Sequence, residues 1–187
     1  MANPIPDFDY NQVLPPHRGN PSHRHDLSPY PCTSLEFCEK YSFTPERIEL
    51  LQGFLKFREQ LRSHGLKQGY QWIDGSFLED IEHRENRAPQ DIDILTIYWG
   101  YDAGFQSNLL ADFPEIADRT LCKQNYRLDH FPVDASFSPE SVVEVVRYWV
   151  QLFSHNRDAV WKGMLKIDLD TAQSDSDAHQ LLIGKTP

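Results

Sequence analysis

Two short segments constrain the fold of this chain more than any others: residues 72–77 (WIDGSF) and residues 91–95 (DIDIL). The first is an apolar run that enters a Gly-Ser turn, and the second alternates aspartate with apolar residues, as a strand does. Because successive strand side chains point to opposite faces, Asp91 and Asp93 project to the same side. Two such carboxylates on a buried strand repel each other and are costly to desolvate unless a cation lies between them. The pattern predicts a hard divalent cation, and the Gly-Ser turn indicates that this cation carries phosphates.

The composition is typical of one domain with its own core. Of the 187 residues, 40% are hydrophobic and 12% are aromatic, which suffices for a sizeable core. We expect no membrane span, because no run of about 18 apolar residues occurs. We also expect no secretory signal, because the first residues are neither basic nor apolar. The cysteines are odd in number and lack metal-ligand pairing, which favours reduced thiols and a cytoplasmic location; they are Cys32, Cys38 and Cys122.

The net charge limits the range of partners. A formal charge of −10 argues against broad nonspecific binding to nucleic acid, which depends on neutralising phosphates with basic residues. A bound metal would offset part of this charge locally. A nucleotide or a small acceptor therefore remains open as a ligand.

The chain divides by composition into three parts. Residues 1–43 are rich in proline and predict an irregular arm whose second half packs on the domain. Residues 44–171 form the domain, which opens with a helix that Thr44 caps and Pro45 begins. Residues 172–187 are polar and predict a loose tail. The opening helix carries an apolar stripe and ends at Gly65; the stripe consists of Ile48, Leu51, Phe54, Leu55 and Leu61.

The remaining elements alternate between strands and helices. We expect strands over residues 70–74, 91–98 and 131–137, and a strand or short helix over residues 161–169. Two short helices are expected between residues 104 and 126, the second beginning near residue 112. Ser138 caps a helix that runs to Phe153, with an inward face predicted from its apolar residues: Val142, Val143, Val146, Trp149 and Val150. The sequence therefore predicts an α/β (α+β) fold with a mixed sheet flanked by helices.

The order of these motifs resembles the nucleotidyltransferases of the DNA polymerase beta superfamily. The resemblance covers roughly residues 44–137 and is carried by Gly75, Ser76, Asp91, Asp93 and Asp134. Further similarity to an uncharacterised bacterial nucleotidyltransferase-like family lies in residues 14–16 (LPP), 72–77 and 161–163 (WKG). In that superfamily an apolar residue is commoner where this chain has Asp74. The resemblance implies transfer of a nucleoside monophosphate from a nucleoside triphosphate, such as ATP, to a protein, RNA or small-molecule acceptor.

The roles that the resemblance implies agree with the chemistry of the residues. Asp91, Asp93 and Asp134 would be both the catalytic residues and the ligands of two Mg²⁺ or Mn²⁺ ions. The glycine lets the backbone approach the phosphates closely, and the amides of Ser76 and Phe77 would face them.

Other basic and metal-ligating residues give weaker signals. Arg84 and Arg87, with His83, lie between the two motifs and could reach a triphosphate, or belong to a solvated loop. Lys162 follows the last helix, with Arg157 and Lys166 nearby, and could contact phosphate or end a strand. A third group contains residue types that could bind zinc, but their spacing matches no common zinc site. The group consists of His17, His23, His25, Cys32 and Cys38.

Two classes of function remain open. The first is an active nucleotidyltransferase, by analogy part of a toxin–antitoxin pair or a phage-defence system. The second is a catalytically silent module that senses a nucleotide or binds a partner on the same fold. The proline-rich arm fits a segment that embraces a protein partner or a second copy, but it could equally pack on its own domain. A complete set of three carboxylates favours the enzyme, because a purely structural module has no physical reason to keep it.

Overall fold

A computed structural model describes residues 5–136 and 138–185 of this chain. Its centre is a five-stranded mixed sheet in the order β1-β5-β2-β3-β4, so the predicted α/β fold with helices flanking the sheet is confirmed. β2 is antiparallel to β3 and β5, whereas β3 runs parallel to β4 and β1 parallel to β5. The strands are β1 (Tyr30–Pro31), β2 (Gly69–Asp74), β3 (Ile92–Tyr98), β4 (Leu128–Asp134) and β5 (Leu165–Asp168).

Within residues 5–136 and 138–185, seven α-helices flank this sheet, and the two short helices expected before β4 are among them. The second of these begins at Arg119, where Asp118 caps it, and not near residue 112 as predicted. The helices are α1 (Ser34–Tyr41), α2 (Pro45–Ser63), α3 (Ile81–Glu85), α4 (Ala103–Asp112), α5 (Arg119–Tyr126), α6 (Pro139–Phe153) and α7 (Ala172–Lys185). In the described residues, none of them combines the length and the apolar character needed to cross a membrane.

Helix α2 forms the centre of the larger core, on one face of the sheet. It begins as predicted: the Thr44 hydroxyl accepts a hydrogen bond from the amide of Arg47 at 3.3 Å, and Pro45 occupies the first turn. It ends before Gly65, whose φ of +84° suits glycine. The whole predicted stripe is buried against Ile73, Ile92 and Ile94 of the sheet. The apolar pattern thus fixed this helix correctly, because its buried positions repeat at the helical period.

The N-terminal arm is more ordered than expected. Helix α1 lies within it and begins with a capping box, in which Thr33 and Glu36 each bond the backbone of the other. Leu14 and Tyr30 are buried in the main core. The Gly163 amide donates to the Leu14 carbonyl at 2.7 Å. The prediction of an irregular segment is therefore wrong for α1, and the arm is an integral part of the domain.

Helix α6 packs on the opposite face of the sheet, and its cap at Ser138 is as predicted. Trp149 and Phe153 pack there on Trp72 and Leu95. Val146 is partly buried beside them, but Val143 and Val150 are 63% and 41% exposed. The inward placement of these two valines is wrong, because the helix turns one narrow face, centred on Trp149, toward the sheet. Phe137, just before this helix, lies outside the described residues.

The C-terminal residues form helix α7 and not a loose tail. Its Ala178 and Leu182 are buried in the main core, and its Asp175 bonds Arg58 and Arg62 of α2. The sequence is polar here, with only these few inward positions, so the helical pattern was missed. Two buried apolar residues together with a buried ion pair, and not a full apolar stripe, pack this end of the chain on the domain.

Candidate functional site

Four aspartates lie together where β2 ends and β3 and β4 begin. Asp74 pairs with Asp93 across β2 and β3, and Asp93 pairs with Asp129 across β3 and β4. Residues directly opposite each other on neighbouring strands point to the same face. Asp91 precedes β3 and, two positions before Asp93, projects to the same side. We call these four residues the acidic row.

Asp134 does not belong to the acidic row. It pairs with Tyr98 at the other end of β4, and an odd number of positions separates it from Asp129, so it faces the opposite side of the sheet. Its carboxylate accepts hydrogen bonds from the Gln106 side chain at 2.9 Å and the Ser136 amide at 2.8 Å. The predicted grouping of Asp134 with Asp91 and Asp93 is therefore wrong.

The cause is the position of β4, which starts at Leu128 and not at residue 131. The start of β4 repeats a pattern of β3, in which an aspartate stands between two residues that face the main core. In β4 these residues are Leu128, Asp129 and His130. This pattern could have marked Asp129 as a strand residue, although its pairing with Asp93 depends on the register of the two strands. It was overlooked because Arg127 follows helix α5 directly, in the left-handed region at φ +57°, and leaves no loop to mark a strand start.

Gly75 brings the backbone onto the acidic row. Its φ is +86°, and a Cβ atom there would lie 2.1 Å from Oδ2 of Asp93, so only glycine fits. Ser76 then starts a short 3-10 turn, Ser76–Leu78, and lines the same cavity as Gly75. The side chain of Phe77 instead packs on Phe37 and Tyr41 in the main core. Of the three residues predicted to face phosphates, the structure places Gly75 and Ser76 at the cavity.

Lys162 holds this turn in place. It is 2% exposed, and its Nζ lies 2.8 Å from Asp74, 3.2 Å from Glu79 and 2.8 Å from the Gly75 carbonyl. Burial lowers the pKa of Lys162, but the two carboxylates outweigh burial and raise it. Burial also raises the pKa of Asp74 to about 6, against the opposing pull of Lys162. Asp74, unusual at its place in the motif, is therefore explained as the partner of a buried lysine.

The two predicted arginines, Arg84 and Arg87, lie at the rim of the cavity. Arg84 contacts Glu79 at 2.6 Å and Glu85 at 2.8 Å, and Arg87 contacts Glu85 at 2.7 Å. Both side chains are partly exposed, and both line the cavity. They therefore share a cavity with the Gly75 turn.

One face of helix α5 supplies cations to the acidic row. Arg119 forms a two-pronged bond to Asp129, with both distances 2.8 Å, and Lys123 lies 2.5 Å from Asp91. These residues are four apart and so share a helix face. Their pKa values are raised, first by the hydrogen bonds to Asp129 and Asp91. Asp129 and Asp91 are thus each paired with an exposed cation.

Asp93 is the carboxylate with the least compensation. Burial, together with the charges of Asp74, Asp91 and Asp129, raises its pKa to about 7, against a smaller pull from Lys162. A buried carboxyl with three carboxylate neighbours is stable as the anion only if more positive charge is added. The acidic row therefore has the electrostatics of a cation site.

Three of the four residues of the acidic row line a cavity of about 810 Å³, and Asp91 is not among its lining residues. Asp74, Asp93 and Asp129 lie on one side, beside Gly75 and Ser76. Aromatic residues of β4 and α6 also line the cavity; we call them the aromatic wall, and they are Phe131, Tyr148, Trp149 and Phe153. Arg157 also lines the cavity, whereas Lys166 on β5 lies over the ring of Tyr70 on β2 and is not among the lining residues. The cavity thus combines carboxylates, cations and aromatic rings.

Comparison with known proteins gives one match. No curated protein and no solved structure resembles this chain significantly. Residues 6–168 match a family of unknown function, DUF6932. The match spans the arm, the acidic row and all five strands, and ends before α7. The chain therefore belongs to the DUF6932 family.

Proposed function

We propose that this protein is a metal-dependent nucleotidyltransferase. It would move a nucleoside monophosphate from a nucleoside triphosphate, such as ATP, to an acceptor and release pyrophosphate. The observation that carries the proposal is the register of β3 and β4, which sets Asp129 opposite Asp93 inside a cavity, with the Gly75 backbone packed on Asp93. Three carboxylates and a glycine turn at one place are what such a transfer requires.

The chemistry of these side chains supports a hard divalent cation as the ligand. Asp91, Asp93 and Asp129 offer carboxylate oxygens, the donors that Mg²⁺ and Mn²⁺ prefer. The raised pKa of Asp93 and the close approach of Gly75 to its carboxylate both indicate a site built around added positive charge. Bound there, Mg²⁺ or Mn²⁺ would neutralise triphosphate charge and make the acceptor hydroxyl more acidic.

The protein's own groups would bind and orient the triphosphate. The Gly75 turn lies beside the acidic row, so the phosphates would lie against its backbone and the Ser76 hydroxyl. Arg84 and Arg87 would exchange their contacts to Glu85 for the phosphates, which are stronger partners for guanidinium groups. Lys162 would act through the Gly75 carbonyl, keeping the turn in place, because three acceptors already surround its Nζ.

The aromatic wall would hold the planar part of the substrate. Tyr148 is 54% exposed, and Trp149 packs on Phe131 with ring centroids 4.3 Å apart. Such a surface stacks on a nucleobase with little sequence preference, because every base presents a π-face. Polar residues that follow α6 also line the cavity, and with the base on the aromatic wall they would face the acceptor. They include His155, Asn156 and Asp158.

The test compares Asp129→Asn with Asp134→Asn, two substitutions on the same strand that face opposite sides of the sheet. Manganese with a nucleoside triphosphate should raise the melting temperature of the wild type, because a ligand of the native state stabilises it. Asp129→Asn should abolish most of that shift and the transfer of an α-phosphate label. Asp134→Asn should leave both unchanged, because its carboxylate bonds only Gln106 and Ser136 in the described structure.

A shift that survives in Asp129→Asn and disappears in Asp134→Asn would overturn the assignment of the third carboxylate. If no nucleoside triphosphate shifts the wild type in the presence of Mg²⁺ or Mn²⁺, the proposed function itself fails. Melting temperatures in the absence of ligand show whether either variant is damaged by the substitution alone.

The contacts of α5 favour a second candidate, the catalytically silent module. Arg119 and Lys123 already neutralise Asp129 and Asp91, as permanent cations would in a site that no longer binds metal. Such a module predicts nucleotide binding without label transfer to any acceptor in a cell extract, and no dependence of binding on Mg²⁺. The acceptor, a protein partner or second copy, and a role in a toxin–antitoxin or defence system remain predictions of the sequence.

A further inference from the structure

The N-terminal arm contains a hairpin whose tip gathers metal-binding side chains. The Ser28 amide donates to the Pro16 carbonyl at 3.0 Å and the Arg18 amide donates to the Asp26 carbonyl at 2.9 Å, which closes residues 16–28 into a hairpin. At its tip, the donor atoms of His23, His25 and Asp26 all lie within 4.8 Å of one another. This tip takes no part in the cavity described above.

The distances at the tip are close to those of a metal site. The ring nitrogens of His23 and His25 each lie 3.6 Å from a different oxygen of Asp26. Two ligands bound to zinc at about 2.0–2.1 Å and at a tetrahedral angle lie about 3.3 Å apart. The three donors therefore need to draw together, by rotation of exposed side chains, to bind one ion. The two imidazole rings are already stacked, with centroids 5.5 Å apart and planes inclined by 20°.

The backbone arranges these donors before any ion binds. The Asp26 amide donates to the His23 carbonyl, and the His23 amide donates to the Asn20 carbonyl, both at 2.9 Å. The Asn20 amide in turn donates to Oδ2 of Asp26 at 3.1 Å. A carboxylate that is itself held by a hydrogen bond presents its oxygens in a fixed direction, as the outer shell of a metal site does. The tip thus needs little ordering to accept an ion.

The donor set selects the kind of ion. Two imidazoles and one carboxylate suit zinc and similar transition metals, whereas the all-carboxylate acidic row suits magnesium or manganese. The cysteines do not contribute. Burial raises the pKa of the Cys38 thiol to about 12 and that of Cys32 further, so neither supplies a thiolate. His17 instead stacks on Trp161, with ring centroids 5.5 Å apart.

We propose that His23, His25 and Asp26 form a surface site for Zn²⁺, with water completing the coordination. The two histidine side chains are 57% and 81% exposed, so an ion reaches them directly from solvent. By joining residues on both sides of Arg24, the bound ion holds the tip of the hairpin in one conformation.

Zn²⁺ competition against a chromophoric chelator tests the site on the full-length protein. The wild type should bind zinc at the tip, and His23→Ala combined with His25→Ala should weaken that binding at least tenfold. The matched control is His179→Ala, which removes an exposed histidine from α7 and should change nothing. Asp93→Asn should also leave this binding unchanged, which separates the tip from the carboxylates of the cavity.

Limited digestion with trypsin gives a second readout, because Arg24 lies between the two histidines. Zn²⁺ should slow cleavage after Arg24 several-fold in the wild type, and should have no such effect in the double histidine variant. Mass spectrometry of the fragments identifies this cleavage among others. Equal zinc affinity in wild type and double variant, or no zinc binding by the wild type, would overturn the proposal.

Discussion

Two buried charge clusters lie on opposite faces of the sheet. The pKa values of their carboxyl groups are shifted in opposite directions. Between α2 and α7, Asp175 contacts Arg58 at 3.0 Å and Arg62 at 2.6 Å. On the face beneath α6, Asp93 has Asp74 and Asp129 as its strand neighbours. Both carboxyls are largely withdrawn from water, so the sign of the surrounding charge makes the difference between them.

In the first cluster the positive charge is in excess. Burial raises the pKa of Asp175, but Arg58 and the hydrogen bonds from its neighbours outweigh burial and lower it. Arg58 is 1% exposed in its side chain, and its remaining donors reach the Gln71 side chain at 2.7 Å and the Asp168 carbonyl at 2.8 Å. Every charge there has a partner within the protein, as a structural cluster requires.

In the second cluster the negative charge is in excess, and the pKa of Asp93 rises to about 7. The nearest buried cation, Lys162, is committed to Asp74, Glu79 and the Gly75 carbonyl. A fold gains nothing in stability from such a site. A buried carboxylate that lacks its cation is therefore the better functional candidate of the two. Three variants test this contrast between the clusters.

The largest effect is expected for Asp175→Asn. The substitution leaves Arg58 buried without an anion, so the free energy of unfolding should fall by about 3–5 kcal/mol. Denaturant unfolding at pH 7 measures this loss. Asp177→Asn on the same helix is the control; Asp177 is exposed, and the change should stay within about 0.5 kcal/mol. A loss below about 1 kcal/mol for Asp175→Asn would show that the first cluster is not structural.

The sequence revealed the second cluster in part and the first not at all. Asp91 and Asp93 were found because strand alternation is a local property, and Gly75 because a tight turn needs glycine. Asp129 depends on the register between two strands that are joined through α4 and α5, and no local pattern sets that register. Asp175 was missed for a similar reason: its partner Arg58 lies far away in sequence, and a charged residue in a polar segment reads as solvated.

The fold was predictable to a similar extent. Helix α2 and strands β2 and β3 follow from apolar periodicity, which the packing uses directly. Helix α7 does not, because its inward face combines two apolar residues with a buried ion pair. The start of β4 was misplaced because the chain passes from α5 into the strand through a single left-handed residue, Arg127, with no turn residues to mark the boundary.

A smaller effect, of opposite sign, is expected for Asp93→Asn in the absence of metal. The folded-state pKa of about 7 lies above the ordinary value of 3.8, so the folded protein binds more protons than the unfolded chain between these two values. The penalty from Asp93 is therefore absent below about pH 4, grows as the pH rises, and is complete above pH 7. At pH 8 the variant should be more stable than wild type by up to ~4 kcal/mol.

Denaturant unfolding at pH 5, 6.5 and 8 follows this difference, which should shrink as the pH falls. Asp170→Asn, an exposed position on the loop after β5, serves as the control and should show no such trend. A variant that is less stable than wild type at pH 8 would mean that the protein itself compensates Asp93, and the contrast between the clusters would disappear.

The smallest effect is expected for Lys123→Met, and it concerns the cation site directly. Lys123 lies 2.5 Å from Asp91 and is 55% exposed, so the pair contributes at most about 1 kcal/mol. An ion that binds Asp91 must displace this ammonium group, and removing the competitor should tighten Mn²⁺ binding about two- to fivefold. Electron paramagnetic resonance of free Mn²⁺ measures the change without nucleotide or turnover.

The control is Lys67→Met, which changes an exposed lysine before β2 and should leave the Mn²⁺ affinity as it is. Weaker binding in Lys123→Met would contradict competition between Lys123 and the ion, and Mn²⁺ affinity equal to that of wild type would show that the ion does not use Asp91.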